Sequence, residues 1–150
     1  MIYKCKYFHL VELLPREFYE ENIVKYRDNL WFLFDPKGLI TLDRLRKRYG
    51  KTHMNDWKFG GNSDSRGFRP PEDKEGAKLS QHRFGRAGDP WFDTVTADEV
   101  REDLMKNPHD TTFEYITTIE DGKIAKTWFH FDTRNWDKTI NGILVVRPIG

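Results

Sequence analysis

The sequence predicts an α+β domain in which helices flank an antiparallel sheet. Two segments have the apolar spacing of amphipathic helices, and the last third of the chain is rich in strand-forming residues. The chain has 150 residues, an ordinary size for one domain. We therefore interpret residues 1–150 as a single domain, in which residues 1–38 form an N-terminal lead-in packed on the core.

The first clear helix presents one apolar face. Leu39, Leu42, Leu45 and Tyr49 follow each other at steps of three and four residues, which places them on the same side of a helix. Gly50 comes directly after the last of them, where a helix commonly ends at a glycine.

The second helix is predicted from its start. Thr96 is a good N-cap, and Glu99 stands three residues later, as a capping box requires. Val100 and Leu104 supply the apolar face, and Pro108 after Asn107 is expected to end the helix.

The segment before the first helix contains three weaker signals. Residues 3–14 mix apolar and polar residues near period two and stop at Pro15, which predicts a short strand or an extended segment. Residues 17–27 are compatible with a helix, and the Asp-Pro-Lys-Gly sequence of residues 35–38 is typical of a turn.

A long loop is predicted between the two clear helices. Residues 55–77 are rich in Gly, Pro, Ser, Asp and Arg, and loops of this length in small domains tend to be functional. The aromatic residues Trp57, Phe59 and Phe68 suggest that parts of the loop pack down.

The last third predicts a hairpin and one more strand. Residues 113–119 favour a strand, Asp-Gly at residues 121–122 is a strong two-residue turn signal, and residues 123–131 return as the partner strand. Asn-Gly at residues 141–142 marks another turn before a final strand at residues 143–146.

Composition and charge limit the classes of function. The 25 Lys and Arg residues nearly balance 24 Asp and Glu residues, so the basic stripe of a nucleic-acid-binding protein is not expected. The single Cys5 excludes an intramolecular disulfide. The N-terminus lacks the pattern of a signal peptide, and no run of about 20 apolar residues is present. We therefore expect cytoplasmic synthesis without a signal peptide, and no membrane insertion.

His82 and Asp89 are candidate metal ligands. They lie seven residues apart, and small residues between them, such as Gly85, would allow the backbone to approach an ion. His130 is a candidate third ligand, because it stands between aromatic residues in a predicted strand. A histidine on an apolar strand is more often a core residue, so the spacing alone leaves both interpretations open.

The segment around the first two candidates resembles a known signature. Ser80, His82, Gly85, Ala87 and Asp89 match the pattern S-x-H-x-x-G-x-A-x-D. This pattern is the signature of the zinc D-Ala-D-Ala carboxypeptidase and L-alanyl-D-glutamate endopeptidase family, which shares its fold with the hedgehog signalling domain. The resemblance implies a hedgehog/DD-peptidase-like fold.

Two further motifs extend the resemblance. Residues 128–132, Trp-Phe-His-Phe-Asp, look like the family's second motif, an aromatic-rich strand that supplies the last ligand. Residues 65–71 are similar to its S-G-Y-R-S-P loop, with Arg66 inserted. The resemblance covers roughly residues 39–148, and residues 1–38 look like the lead-in of small phage-encoded members.

The resemblance also implies a role for each matched residue. His82, Asp89 and His130 would bind Zn²⁺ and leave a fourth position for water, which is the pattern of a catalytic zinc site. Arg69 would hold a carboxylate of the substrate, and Ser80 would support the substrate or the ligands.

One position departs from the family pattern. Thr127 occupies the place of the family's acidic residue, and a hydroxyl cannot act as general base near neutral pH. Asp132 could replace that residue, or it could orient a ligand or pair with Arg134. The predicted hairpin would place Glu120 at its tip, distant from the metal, and would pair Glu114 with Phe129 on the face opposite His130. A register slip of one residue would reverse the face of Glu114.

These observations lead to a functional hypothesis with two alternatives. The first expectation is a monomeric, phage-encoded, endolysin-like zinc peptidase that cuts an amide bond in the peptidoglycan stem peptide after release to the cell wall. The second is a zinc-bearing binding or structural module that has lost its general base, as Thr127 suggests. The third is a metal-free structural domain, which requires His82 and His130 to lie far apart.

Overall fold

The computed structural model describes residues 2–149 and confirms the α+β class. The helices are α1 (Leu10–Leu13), α2 (Arg16–Tyr26), α3 (Pro36–Tyr49), α4 (Ala97–Lys106) and α5 (Lys138–Asn141). The strands are β1 (Thr52–His53), β2 (Ala87–Gly88), β3 (Trp91–Phe92), β4 (Thr118–Glu120), β5 (Phe131–Asp132) and β6 (Leu144–Val146). Short 3₁₀ helices cover Arg27–Leu33, Trp57–Phe59, Gln81–Phe84 and Thr111–Phe113.

Helix α3 begins earlier than predicted. Asp35 is its N-cap and accepts the backbone N–H of Lys37 at 3.0 Å, while Pro36 occupies the first helical position. The turn predicted at residues 35–38 is therefore wrong, because the same residue types also start helices. The predicted apolar face is confirmed, since the leucines of α3 are buried and Gly50 ends the helix.

Helix α4 matches its prediction closely. Thr96 accepts the N–H of Glu99, whose carboxylate accepts the N–H of Thr96 in return. Val100 and Leu104 are fully buried, and the helix ends at Lys106. Among the helices of residues 2–149, none has the length and apolar character needed to span a membrane.

The lead-in is helical where a strand was one of the alternatives. Residues 2–9 contain neither helix nor strand and bend at Lys6 and Tyr7, and α1 follows directly, with the N–H of His9 bound to the Glu12 carboxylate at 2.8 Å. The predicted helix at residues 17–27 is confirmed as α2. The lead-in contributes buried side chains to the common core, namely Phe8, Leu10, Leu13, Leu14, Leu30 and Trp31.

The main sheet has four strands in the order β2-β5-β4-β6. Strand β5 is antiparallel to both of its neighbours, but β6 runs parallel to β4. The fully antiparallel sheet of the prediction is therefore wrong at β6, which is reached through a crossover that contains α5. A separate ribbon pairs β1 with β3 in antiparallel orientation.

The predicted hairpin is confirmed in part. Strands β4 and β5 follow each other in the chain and pair in antiparallel orientation, but β4 contains only Thr118–Glu120, β5 begins at Phe131, and residues 121–130 form a long loop in place of a two-residue turn. Arg101 of α4 explains this loop, because its buried guanidinium donates to the carbonyls of Ala125 and Trp128. A side chain thus satisfies carbonyls that a hairpin would have paired across the strands.

The long loop of residues 55–77 is confirmed and lies against the lead-in. Asn55 is buried and joins the two segments, since it donates to the carbonyl of Leu14 at 3.1 Å and accepts the N–H of Arg66 at 2.8 Å. Phe68 is buried, which confirms that part of the loop packs down, whereas Phe59 is 70% exposed.

Gly85 is required at the end of the 3₁₀ helix Gln81–Phe84. Its φ of +67° is left-handed, and a Cβ added there would lie 1.9 Å from the carbonyl oxygen of Leu33. The backbone N–H of Asp35 donates to the Gly85 carbonyl at 2.9 Å. The start of α3 therefore packs directly on the backbone of the segment that carries His82.

We expect Gly85→Ala to destabilise the protein by about 2–5 kcal/mol, because the left-handed conformation and the backbone clash both oppose a side chain. Gly60→Ala is the matched control: its φ is +94°, and the added Cβ meets no described atom within 4 Å. It should cost only about 1–2 kcal/mol. Urea denaturation measures both variants, and equal losses would contradict the proposed clash.

Candidate metal centre

Three segments bring the predicted ligands together. His82 lies in the 3₁₀ helix Gln81–Phe84, Asp89 follows β2 directly, and His130 precedes β5 directly. Strand pairing places Gly88 opposite Phe131. Because these two strands are antiparallel, the residue after Gly88 and the residue before Phe131 become neighbours.

The three side chains form a compact buried group. The Nε2 atom of His82 lies 3.2 Å from Asp89 Oδ2, and Nδ1 of His130 lies 2.7 Å from Asp89 Oδ1. One ligand atom from each residue lies within 4.8 Å of the others, so the group could hold a metal ion. The two imidazole rings are 5.2 Å apart, which excludes the alternative that required the histidines to be distant.

Hydrogen bonds on the far side of each ring orient the two histidines. Nδ1 of His82 lies 2.8 Å from the carbonyl oxygen of Gly67, and Nε2 of His130 lies 3.3 Å from Asp132 Oδ2. Each partner accepts a hydrogen bond from a ring N–H, so the other nitrogen of each ring faces Asp89 and can offer its lone pair to a metal ion. Two imidazoles and one carboxylate arranged in this way fit the donor set of a divalent metal ion.

Asp132 lies behind the centre rather than in front of it. It is fully buried, and Arg134 donates to its Oδ1 from Nε at 2.8 Å and to its Oδ2 from Nη2 at 2.5 Å. Both carboxylate oxygens are therefore occupied, by Arg134 and by His130. The geometry favours the orienting alternative for Asp132 over the catalytic role.

Charge favours a cation at this position. Burial alone would lower the pKa of His130, but the negative charge of Asp89 and hydrogen bonds to Asp132 and Asp89 raise it to about 10. Burial alone would raise the pKa of Asp89, but His82 and His130 hold it far below its ordinary range. The Asp89 carboxylate therefore stays ionised although it is buried. A metal ion that binds here would replace the proton on His130.

Arg69 and Ser80 both contact the ligand group. Arg69 Nη2 lies 3.2 Å from Asp89 Oδ2, and its Nε donates to the carbonyl of Ser65 at 2.7 Å. Ser80 caps the 3₁₀ helix, and its hydroxyl accepts the N–H of His82 at 3.4 Å. The Ser80 side chain thus supports His82 by binding the backbone N–H of that residue, while Arg69 contacts the carboxylate of Asp89 directly.

A cavity of about 430 Å³ opens beside Asp89. Arg69, Arg66 and Trp128 line it together with the loop residues Asn62, Ser63, Asp64, Ser65 and Glu75. A ligand that reaches Asp89 through this cavity would therefore meet two guanidinium groups and an indole ring.

Glu120 is the functional candidate that the sequence interpretation misplaced. Its Oε1 lies 3.8 Å from His130 Nδ1, the nitrogen that faces Asp89, and not at a distant hairpin tip. The cause is the strand register, because the N–H of Glu120 donates to the carbonyl of His130 at 3.4 Å. Glu120 belongs to β4, next to β5, so only the correct strand pairing could have located it.

Two other positions lie away from the centre. Thr127 is exposed in the loop before β5. Glu114 was expected opposite Phe129, but it lies outside the sheet and its Oε2 accepts from Arg44 Nη1 at 2.8 Å. Three carboxylates were candidates to replace the family's acid: Asp132, Glu114 and Glu120. Of these, Glu120 alone is both close to the candidate ligands and partly exposed to solvent.

Comparisons with protein-family models, with curated proteins and with solved structures found no match. The family resemblance thus rests on the matched residues alone.

We expect Asp132→Asn to weaken metal binding by about 10- to 100-fold, because His130 loses the charged acceptor that orients its ring. His130→Ala should remove the bound metal. Asp103→Asn is the matched control. Asp103 lies on α4, away from the centre, and it also pairs with an arginine, Arg48 of α3. Chelator competition gives the affinities. An unchanged affinity in a folded Asp132→Asn variant would contradict the orienting role.

Proposed function

We propose that the chain is a zinc-dependent peptidase that hydrolyses an amide bond in the stem peptide of peptidoglycan. One observation carries the proposal: a buried His-Asp-His group lies beside an open cavity, and Glu120 lies within 3.8 Å of one of its histidines. This combination supports hydrolysis better than a purely structural metal site, which is usually closed by four protein ligands.

His82, Asp89 and His130 would hold the zinc ion, through two imidazole nitrogens and a carboxylate. When bound, zinc polarises a carbonyl group and lowers the pKa of water. Three protein ligands are the usual number in catalytic zinc sites, which keep one position open. Arg69 and Arg134 neutralise carboxylates around the group, so that a single divalent cation suits its charge.

Glu120 would perform the proton transfers of the reaction. Its side chain is 26% exposed, so that it is accessible from solvent, and its carboxylate lies on the Nδ1 side of His130. Oε1 would take a proton from water as the water oxygen attacks the scissile carbonyl carbon. The carboxyl group would then give this proton to the amine nitrogen as the C–N bond breaks. Glu120 would thus replace the acid missing at Thr127.

Arg69 would bind a carboxylate of the peptide substrate. It lines the cavity next to Asp89, and its planar guanidinium is suited to bidentate binding of a carboxylate. Its Nε is anchored to the carbonyl of Ser65, so the position of the fork is fixed before substrate arrives.

The remaining parts of the proposal rest on the sequence resemblance. The matched motifs support a hedgehog/DD-peptidase-like fold and a phage-encoded, endolysin-like enzyme that acts at the cell wall after release. The order of elements in the structure is compatible with them: helix α3, the arginine loop, the first two ligands, helix α4 and then His130. A monomer is proposed on the same basis.

A second candidate function is a zinc-bearing binding module without catalytic activity. The exposed Thr127 at the family's acidic position favours it. Such a module would use Arg69 and the cavity to hold a wall peptide without cutting it.

We expect the zinc-loaded protein to release new amino groups from purified peptidoglycan, and a chelator to abolish the release. Glu120→Gln should lower kcat by about 10²- to 10⁴-fold, because an amide cannot accept the proton. It should keep its zinc, because Glu120 lies outside the group of three ligands. Amine release and elemental analysis measure the two properties.

Glu114→Gln is the control for the loss of a carboxylate, since Glu114 binds Arg44 at the surface. It should retain both zinc and activity. A wild-type protein that binds zinc but releases no amine would refute the peptidase and favour the binding module. A fully active Glu120→Gln variant would refute the assignment of Glu120 alone.

We expect Arg69→Lys to raise KM by about 10- to 100-fold for peptides with a free carboxylate, because an ammonium group cannot replace the bidentate fork. The same peptides with an amidated C-terminus serve as the control and should be cleaved equally by both proteins. Assays at saturating zinc remove any effect on the ligands. If the variant still preferred the free carboxylate, Arg69 would not be its binding residue.

A further inference from the structure

Arg66 holds both backbone polar groups of the ligand residue Asp89. The carbonyl oxygen of Arg66 accepts the N–H of Asp89 at 2.9 Å, and its Nη1 donates to the carbonyl oxygen of Asp89 at 3.1 Å. One residue therefore fixes the peptide units on either side of the Asp89 side chain. This residue is also the one inserted into the loop sequence relative to the S-G-Y-R-S-P pattern.

The guanidinium of Arg66 also contacts two tryptophans. It lies 4.5 Å from the ring centroid of Trp91 and 5.6 Å from that of Trp128. Both distances fall within the range of cation–π attraction. Trp91 is two residues after Asp89, and Trp128 is two residues before His130, so Arg66 connects the two chain segments that carry these ligands.

Arg66 is itself held in place from the opposite side. Its backbone N–H donates to the Asn55 side chain at 2.8 Å, and its Nε donates to Ser63 Oγ at 2.7 Å. Asn55 is 2% exposed and belongs to the buried part of the loop. The backbone of Arg66 is therefore held by Asn55, and its guanidinium is oriented by Ser63.

We propose that Arg66 is a positioning residue for the metal centre, which sets the placement of Asp89 relative to His130 through its backbone bonds and its contacts with Trp91 and Trp128. This inference rests on the metal-binding part of the proposed function and does not depend on hydrolysis. Arg66 touches no ligand side-chain atom in these contacts, so it acts through Asp89 and not on the metal itself.

Lysine and methionine separate the contributions of Arg66. A lysine keeps the positive charge between the two indole rings, but one ammonium group cannot reproduce a fork that binds Ser63 and Asp89 simultaneously. A methionine keeps much of the length and loses both the charge and the hydrogen bonds.

The experiment compares Arg66→Met and Arg66→Lys with the wild type, using Zn²⁺ and Co²⁺ as probes. Chelator competition gives the Zn²⁺ affinity, and the visible absorption spectrum of the Co²⁺ form reports the ligand geometry. Arg66→Met should bind Zn²⁺ at least about 10-fold more weakly and show an altered Co²⁺ spectrum. Arg66→Lys should fall between Arg66→Met and the wild type, with an affinity more than about twofold weaker than that of the wild type.

Arg16→Met is the matched control, because the Arg16 guanidinium also lies over an indole ring, that of Trp57, at 6.0 Å. It should leave Zn²⁺ affinity and the Co²⁺ spectrum unchanged. The thermal midpoint of each metal-free protein is measured as well, and all binding is measured well below it. A role in stability alone would lower the midpoint of the Arg66 variants without changing affinity or spectrum.

An affinity within about twofold of the wild type, with the same Co²⁺ spectrum, in either folded Arg66 variant would overturn the inference. If Arg66→Met does not fold, Arg66→Lys alone decides between the two results. If the wild type binds neither ion, the proposed function and this inference fail together. If the wild type and the variants bind equally well, only this inference fails.

Discussion

The candidate centre depends on the pairing of β2 with β5. These strands contain only two residues each, yet their register makes Asp89 and His130 neighbours although they are 41 residues apart in the chain. Close pairing requires a small residue, because a Cβ on Gly88 would lie 3.0 Å from the ring of Phe131. The aromatic residues beside His130 thus have a structural purpose: Phe129 and Phe131 are fully buried and fix the strand on which the histidine depends.

The balance of charge around His130 explains why such a group can be buried. Isolated buried charges are costly, so carboxylates in protein interiors need partners. Three carboxylates and two guanidiniums surround the two histidines, which leaves one negative charge before any proton or metal is counted; these residues are Asp89, Glu120, Asp132, Arg69 and Arg134. The excess negative charge is what raises the pKa of His130, and it gives a cation a reason to occupy the centre.

Local chemistry could be predicted from the sequence, and strand pairing could not. Helix α4 was predicted because Thr96 and Glu99 cap it without help from the rest of the chain. The two-residue turn of the predicted hairpin is absent because Arg101 reaches across from α4 to bind loop carbonyls, a tertiary contact that no turn signal reveals. The same error misplaced Glu120, whose position depends on the register. The candidate ligands could be predicted because His82 and Asp89 lie in one short motif that resembles a known signature, and His130 lies in a second such motif.

The lead-in is part of the framework of the centre. The loop of residues 55–77 rests on it, because the carbonyl of Leu13 accepts the N–H of Phe68 at 2.9 Å and a Cβ on Gly67 would lie 2.4 Å from the same oxygen. Gly67 in turn offers its own carbonyl to His82. The ring orientation of His82 therefore depends on helix α1, through Leu13 and Gly67. A domain boundary drawn at residue 39, where the recognisable motifs begin, would remove this support, so a fragment that starts there would lack the contacts that place Gly67 and, through it, the ring of His82.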